Sequence, residues 1–180
     1  TLDKLYLEPL LDYYLNNKSG YYPALMIDIK RDRGKVFKFL LPKLAYMEQE
    51  LKRNGINKMP LFIISGDRPA VDSFKYFPAY IQFDGRPKEV YTEDALSKVA
   101  FVSDYFVNYS KWKGKGSIPK ADKEKIKAMV DHVHQQGKLV RFWKIPDTPK
   151  AWKKLRKLGV DVMNTDFPTE RSKRFNKIGL

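Results

Sequence analysis

The chain has 180 residues, of which 35 are basic and 21 acidic, so its formal net charge is +14. Apolar residues make up 43% and aromatic residues 14%, which excludes a predominantly disordered chain. The absence of cysteine excludes a disulfide scaffold, a cysteine zinc site and a thiol nucleophile, and two histidines are too few for a histidine-rich metal cage. The charge surplus indicates either an anionic partner or a solvated lysine-rich surface.

Short apolar runs alternate with helical patterns along the chain. In chain order we predict a helix at 2–15, a strand at 24–30, a helix at 36–52, strands at 61–65, 80–84 and 99–104, a helix at 121–136, a strand at 139–143, a helix at 148–158 and a strand at 161–164. The strands are mostly apolar on both faces, which favours a parallel sheet. The alternation predicts an α/β domain and leaves a β/α barrel and an open doubly wound sheet as alternatives.

Nearly every predicted strand turns polar at its carboxyl end. The polar residues there are Asp28, Lys30, Ser65, Asp67, Arg68, Asp84, Arg86, Ser103, Asp104, Arg141, Asn164 and Asp166, with Trp143 among them. Functional sites in β/α proteins lie at this end of the sheet. The alternative is that strands stop where polar loops begin.

Two pairs of these residues share a face because side chains alternate along a strand. Asp28 and Lys30 are one pair, and a carboxylate oxygen of this kind is a hard ligand suited to Mg²⁺ or Ca²⁺. The alternative is a structural ion pair. Arg141 and Trp143 are the other pair, which can clamp a phosphate and stack on a substrate. Here the alternative is an arginine stem packed beside a core tryptophan.

Two further features carry weaker signals. His132 and His134 are two residues apart in a predicted helix, so they face different directions and are expected at the surface. The predicted loop at 108–120 contains the segment 111–115 (KWKGK), in which Trp112 lies among cations. Such a segment suits an anionic lipid surface or single-stranded nucleic acid, or it is a solvated connector.

Four segments together resemble the phosphatidylinositol-phospholipase-C-like phosphodiesterases, which include the glycerophosphodiester phosphodiesterases and the sphingomyelinase D-like enzymes. They are 25–30 (LMIDIK), 63–69 (IISGDRP), 141–147 (RFWKIPD) and 159–168 (GVDVMNTDFP). The last is similar to the family's closing GVDxxxTDxP motif. The segments occur in the family's order across nearly the whole chain.

The resemblance implies a TIM-type (β/α)8 barrel, with strands three to eight in this chain and residues 1–180 forming a single partial barrel domain. The family's first two strands carry its catalytic histidines and a Glu/Asp metal pair. These strands match nothing in this sequence, and the resemblance places them before Thr1. This chain is therefore expected to supply the metal and phosphate side of a site and no catalysis by itself.

The resemblance also implies roles for individual residues. Asp28 takes the place of an acidic ligand to a divalent cation, Mg²⁺ or Ca²⁺. Lys30 and Trp143 take catalytic positions, Lys30 as the contact to the substrate phosphate. Substrate binding is assigned to Ser65, Arg141 and Asn164. Many glycerophosphodiesterases carry Glu where this chain has Asp28, so the substrate class stays open.

The function implied is that of a metal-dependent phosphoric diester hydrolase of lipid metabolism, acting on a phospholipid or glycerophosphodiester through acid–base attack on phosphorus. The alternative function is a non-catalytic basic module that binds an anionic membrane surface or nucleic acid. Nucleic acid is the less expected partner because no RNP-like or helix-turn-helix motif occurs. The sequence fixes no compartment, and a secreted or periplasmic location is one alternative.

Overall fold

A computed structural model describes residues 1–17 and 23–167. Its strands are β1 (Leu25–Ile29), β2 (Phe62–Gly66), β3 (Ile81–Gly85), β4 (Val99–Tyr105) and β5 (Leu139–Trp143). They form a five-stranded parallel sheet in the sequential order β1-β2-β3-β4-β5. The α/β class and five of the six predicted strands are therefore confirmed.

The helices are α1 (Glu8–Asn16), α2 (Arg33–Arg53), α3 (Glu93–Ser97), α4 (Lys120–Gln135) and α5 (Pro149–Arg156). A π-helical segment, Asp3–Leu7, precedes α1, and two 3₁₀ segments lie at Val71–Tyr76 and Phe106–Asn108. Thr148 caps the last helix, since its hydroxyl accepts the Ala151 N–H at 3.2 Å. Within residues 1–17 and 23–167, no helix is both long and apolar enough to cross a membrane.

The chain divides into two compact units, and the first contains Thr1–Phe83 and Tyr91–Lys98. Here β1 pairs with β2 and β2 with β3. One face of α2 is buried at helical spacing, through Phe37, Leu40, Leu44, Met47 and Leu51. In β2, residues 62–65 are all buried, as expected for a strand covered on both faces.

The second unit contains Asp84–Val90 and Val99–Leu180, and β4 pairs with β5 inside it. Helix α4 buries Ile126, Met129, Val130 and Val133, while α5 buries Ala151, Trp152 and Leu155. Phe142 of β5 is fully buried, with its ring edge-on to Phe106 at 5.9 Å. This packing fixes the carboxyl end of β5, from which several candidate residues project.

The sixth predicted strand, at 161–164, is wrong: only an isolated parallel bridge between Arg141 and Val162 occurs there. The reason lies in the Asp161 side chain, whose carboxylate accepts the Val140 N–H at 2.7 Å. The Val140 carbonyl accepts both the Asp161 and the Val162 N–H. Asp161 and Val162 thus occupy both backbone groups of Val140. A regular series of strand hydrogen bonds between this segment and β5 therefore does not form.

Candidate functional site

In the first unit, Asp28 and Lys30 lie at the carboxyl end of β1 and form an ion pair through Oδ2 and Nζ. The predicted shared face is therefore confirmed. Both side chains are accessible, since 47% of Asp28 and 81% of Lys30 is exposed. An exposed ion pair contributes little to stability, about 0–1 kcal/mol. These two groups are therefore available to a ligand at little cost in folding free energy.

The carboxyl end of β2 lies against this pair. Ser65 is the register partner of Asp28 in the sheet and is only 5% exposed. Its proposed contact with substrate stays a prediction. Gly66 follows with φ of +76°, and a β-carbon there would collide with the Ile29 carbonyl and the Asp28 carboxylate. A residue without a side chain at position 66 thus allows the Asp28 carboxylate to occupy its present position.

Asp67 connects β2 to the start of α2. Its N–H donates to the Ile29 carbonyl at 2.7 Å. Its carboxylate accepts the Arg33 N–H at 3.0 Å and the Arg33 Nη1 at 2.8 Å. The backbone N–H of Arg33, followed by its guanidinium, lowers the pKa of Asp67 below the usual value of 3.8. Asp67 therefore stays ionised at neutral pH and holds the chain next to Asp28.

In the second unit, Asp84 at the end of β3 is almost fully buried, at 1% exposure. Its Oδ1 accepts the hydroxyl of Ser103, which is itself buried on β4. Its Oδ2 lies 2.9 Å from Nη1 of Arg86. Arg86 Nη1 also contacts the carbonyls of Asp84 and Gly85 at 3.1 and 2.9 Å. Buried charges are retained only when paired in this way.

Trp143, at the end of β5, lies beside this network. The Arg86 guanidinium lies over the Trp143 indole at 5.2 Å, and the Tyr105 ring is parallel to the indole with centroids 6.3 Å apart. The arrangement holds the indole in one orientation, and Trp143 keeps part of its surface exposed. Its proposed catalytic role is not tested by this placement and stays a prediction.

Arg141 and Asn164 are brought together, since Arg141 Nη2 donates to Asn164 Oδ1 at 2.5 Å. The Arg141 guanidinium also lies over the Phe101 ring at 5.8 Å. The predicted alternative, an arginine packed against an aromatic ring, thus describes part of the environment of Arg141. The ring is Phe101, in place of the expected Trp143.

A cavity of about 260 Å³ lies in the second unit at the carboxyl end of β5. Its lining consists of Trp143, Lys144, Ile145, Asp147, Asn164, Thr165 and Asp166. Asp147 organises one wall, because its Oδ2 accepts the Thr165 hydroxyl at 3.0 Å and the Asp166 N–H at 3.1 Å. Two predicted site residues, Trp143 and Asn164, line this cavity.

A divalent cation such as Mg²⁺ or Ca²⁺ is held by several oxygen ligands at once. The Asp28 carboxylate has the hard oxygen chemistry of a Mg²⁺ or Ca²⁺ ligand. However, no group of three or more His, Asp or Glu side chains close enough to hold a metal ion occurs among the described residues. The described residues therefore offer Asp28 as one ligand and do not form a complete metal site.

The remaining sequence predictions have mixed outcomes. His132 and His134 are exposed and have different partners, Gln136 and Asp161, as expected from their spacing. Trp112 was expected as an accessible residue of a cationic loop, and this is wrong because it is 9% exposed. Its Nε1 donates to the Lys115 carbonyl at 2.6 Å, and the Lys154 ammonium lies over its ring at 5.5 Å.

Sequence reasoning assigned no role to the network of Asp84, Ser103 and Arg86. Its signal was present in the polar ends of two neighbouring strands, but burial could not be deduced from the pattern. Asp104, the next polar residue, bonds to its own loop, accepting the Tyr109 hydroxyl at 2.9 Å. Burial, followed by this bond, raises the pKa of Tyr109 far above its usual value.

No family model, curated protein or solved structure matches this chain.

Proposed function

We propose that this chain contributes the phosphate-contacting side of a metal-dependent phosphodiesterase of the phospholipase-C-like superfamily, acting on a phospholipid or glycerophosphodiester. The observation that carries the proposal is the Asp28–Lys30 pair, in which an acid and an ammonium lie together, accessible, at the carboxyl end of a parallel strand. In β/α proteins this end of the sheet carries the functional residues.

The two side chains differ in chemistry, and we assign them different roles. The Lys30 ammonium is a donor and a compact positive charge, suited to a non-bridging oxygen of a phosphodiester. The Asp28 carboxylate accepts hydrogen bonds and has the hard oxygen chemistry that suits a divalent cation. The resemblance assigns the remaining ligands and the proton-transferring histidines to two strands that match nothing in this sequence.

The second unit supports the same class of ligand by a different arrangement. The 260 Å³ cavity has an aromatic wall at Trp143, an ammonium at Lys144 and an amide at Asn164. Five of its seven lining residues are polar, and the carboxylates of Asp147 and Asp166 disfavour an anion on their side of the cavity, so a phosphate would contact Lys144 and Asn164. We propose that it takes a polar group of a phosphorylated ligand.

The TIM-type barrel is part of the same proposal. A five-stranded parallel sheet in sequential order, with helices between the strands, is what five consecutive strands of such a barrel would form. The alternative function, a basic module that binds an anionic surface without catalysis, is favoured by the net charge of +14. The two functions differ in whether a phosphodiester is turned over.

The test is a hydrolysis assay on the full-length protein that contains this sequence, with glycerophosphocholine, lysophosphatidylcholine and sphingomyelin as substrates. We expect turnover of at least one of them with Mg²⁺ or Ca²⁺ and loss of turnover with a chelator. Binding of anionic vesicles without turnover of any phosphodiester would favour the basic module.

The variant Lys30→Met tests the proposed phosphate contact in the same assay. Loss of a charge-assisted contact, worth about 1.5–3 kcal/mol, should raise KM for the substrate by about 10–100-fold. The matched control is Lys52→Met, which also removes a lysine from an exposed ion pair of the first unit, with Glu48. Equal kinetic constants for the two variants would contradict a phosphate contact at Lys30.

A further inference from the structure

A second cleft in the second unit is lined almost entirely by lysines. Its volume is about 560 Å³, and its lining consists of Gly114, Lys115, Gly116, Lys150, Lys153, Lys154 and Lys157. This lining contains no Asp or Glu among the described residues. Five ammonium groups around one cleft repel each other, so a multiply charged anion would relieve that repulsion.

The helical spacing explains how the lysines converge. Residues 150, 153, 154 and 157 follow the i, i+3, i+4, i+7 pattern, so they lie on one side of α5 and its last turn. Ala151, Trp152 and Leu155 on the other side are buried, which fixes the orientation of the helix. Within residues 1–17 and 23–167, the lysines at 115, 150, 153 and 157 form no ion pair with a carboxylate.

The opposite wall of the cleft is also held in place. The Lys154 ammonium donates to the Gly116 carbonyl and lies over the buried Trp112 ring. The Trp112 indole N–H donates in turn to the Lys115 carbonyl. These contacts join the loop to α5 through one lysine and leave the other four around the opening. The cleft is therefore a built feature with two fixed walls and differs from a set of scattered surface lysines.

We propose that this cleft binds a small ligand or headgroup that carries two or more phosphate groups. Lysine ammonium groups bind phosphate as point charges, and several of them within one cleft favour several phosphates over one. The volume lies in the range of small-molecule sites, about 300–1,000 Å³. This proposal is independent of the proposed function, because it needs neither Asp28 nor Lys30 and involves no bond cleavage.

The test is isothermal titration calorimetry of the full-length protein with inorganic tripolyphosphate in physiological salt. The cleft variant is Lys150→Ser/Lys153→Ser/Lys157→Ser, which retains Lys154 because of its contact with Trp112. The matched control is Lys120→Ser/Lys123→Ser/Lys125→Ser, which removes three exposed lysines from α4 and thus the same net charge. Circular dichroism and thermal melts establish that both variants fold.

We expect the cleft variant to bind tripolyphosphate at least tenfold more weakly than the unmodified protein, and the control variant to change by less than about twofold at this ionic strength. Saturating tripolyphosphate should also raise the melting temperature of the unmodified protein and of the control, but not of the cleft variant. Equal losses in both variants would overturn the proposal, because diffuse net charge would then explain the binding. Unchanged binding in the cleft variant would overturn it as well.

Vesicles distinguish the two sources of the ligand. Vesicles with phosphatidylinositol 4,5-bisphosphate are compared with phosphatidylserine vesicles of equal surface charge. Preference for the bisphosphate, lost in the cleft variant, identifies a lipid headgroup. Cleft-dependent binding of tripolyphosphate without that preference identifies a free phosphorylated ligand. Equal binding of both vesicle types by both variants, without cleft-dependent binding of tripolyphosphate, would overturn the proposal.

Discussion

The two units contain acid–base pairs at strand ends, but the pairs differ in burial and partners. Asp28 and Lys30 in the first unit are largely exposed and contact each other through one pair of atoms. Asp84 in the second unit is 1% exposed and is bonded to both Ser103 and Arg86. The difference separates charges that a ligand can reach from charges that hold the fold together. Burial thus distinguishes strand-end charges that are accessible to a ligand from those whose partners lie within the fold.

The effect that bears most directly on this comparison is expected at Asp84. Asp84→Ala removes the acceptor for the Ser103 hydroxyl and for the Arg86 guanidinium. Breaking a buried pair costs about 3–5 kcal/mol, and the 27% exposure of Arg86 places this case near the lower end. We expect a loss of about 3 kcal/mol in the free energy of unfolding, measured by urea denaturation. Asp28→Ala should cost less than about 1 kcal/mol in the same experiment. Similar losses for both variants would remove the distinction between the units.

A second effect concerns the glycine beside Asp28. Gly66→Ala introduces a β-carbon that collides with the Ile29 carbonyl and the Asp28 carboxylate. The control is Gly55→Ala, since Gly55 has nearly the same φ, +74°, and nothing within 4 Å of a β-carbon. Both variants incur the left-handed backbone penalty of about 1–2 kcal/mol, and overpacking adds about 1–3 kcal/mol at Gly66 alone. Equal free energies of unfolding for the two variants would contradict this expectation. They would show that the atoms around Asp28 move aside for the β-carbon at little energetic cost.

A smaller effect, with a defined pH dependence, is expected at Asp67. Its pKa is lowered in the folded state by Arg33, so its ionised form stabilises the fold at neutral pH. This contribution is complete above the unfolded value of about 3.9 and disappears as the pH falls through the lower folded value. Asp67→Asn should therefore lower the melting temperature at pH 7, and the difference from the unmodified protein should shrink below pH 4. A difference that is the same at pH 7 and pH 3 would contradict the Arg33 contact.

Much of the fold follows from local sequence patterns. Five strands were predicted because short apolar runs lie between helical patterns, and the Asp28–Lys30 contact followed from alternation along a strand. The start of α2 was predicted at residue 36 and lies at Arg33. The Asp32 side chain caps this start locally, accepting the Lys35 N–H at 3.4 Å, and this cap was a signal that the pattern analysis missed. The Asp67 carboxylate also binds Arg33, from 34 positions away, and a local pattern carries no information on that contact.

The candidate sites show the same limit. The lysine cleft lies between a loop and α5. The Lys154 ammonium joins them by donating to the carbonyl of Gly116, 38 residues away in sequence. Trp112 contacts the Lys154 ammonium and donates to the Lys115 carbonyl, and it is buried, whereas Lys111, Lys113 and Lys115 of the same loop are exposed as composition predicts. Charge counts indicate either an anionic partner or a solvated lysine-rich surface, and only tertiary packing shows where several cations converge.

The smallest expected effect on stability, and the most direct test of the proposed function, is at Asp28. Asp28→Asn keeps the shape of the side chain and removes its charge, and the measurement is phosphodiester turnover by the full-length protein together with its melting temperature. We predict that turnover falls by about 100-fold or more, equivalent to ~2.7 kcal/mol of transition-state stabilisation, with the melting temperature nearly unchanged. Unchanged turnover with a lower melting temperature would contradict the proposal and identify Asp28–Lys30 as a structural ion pair.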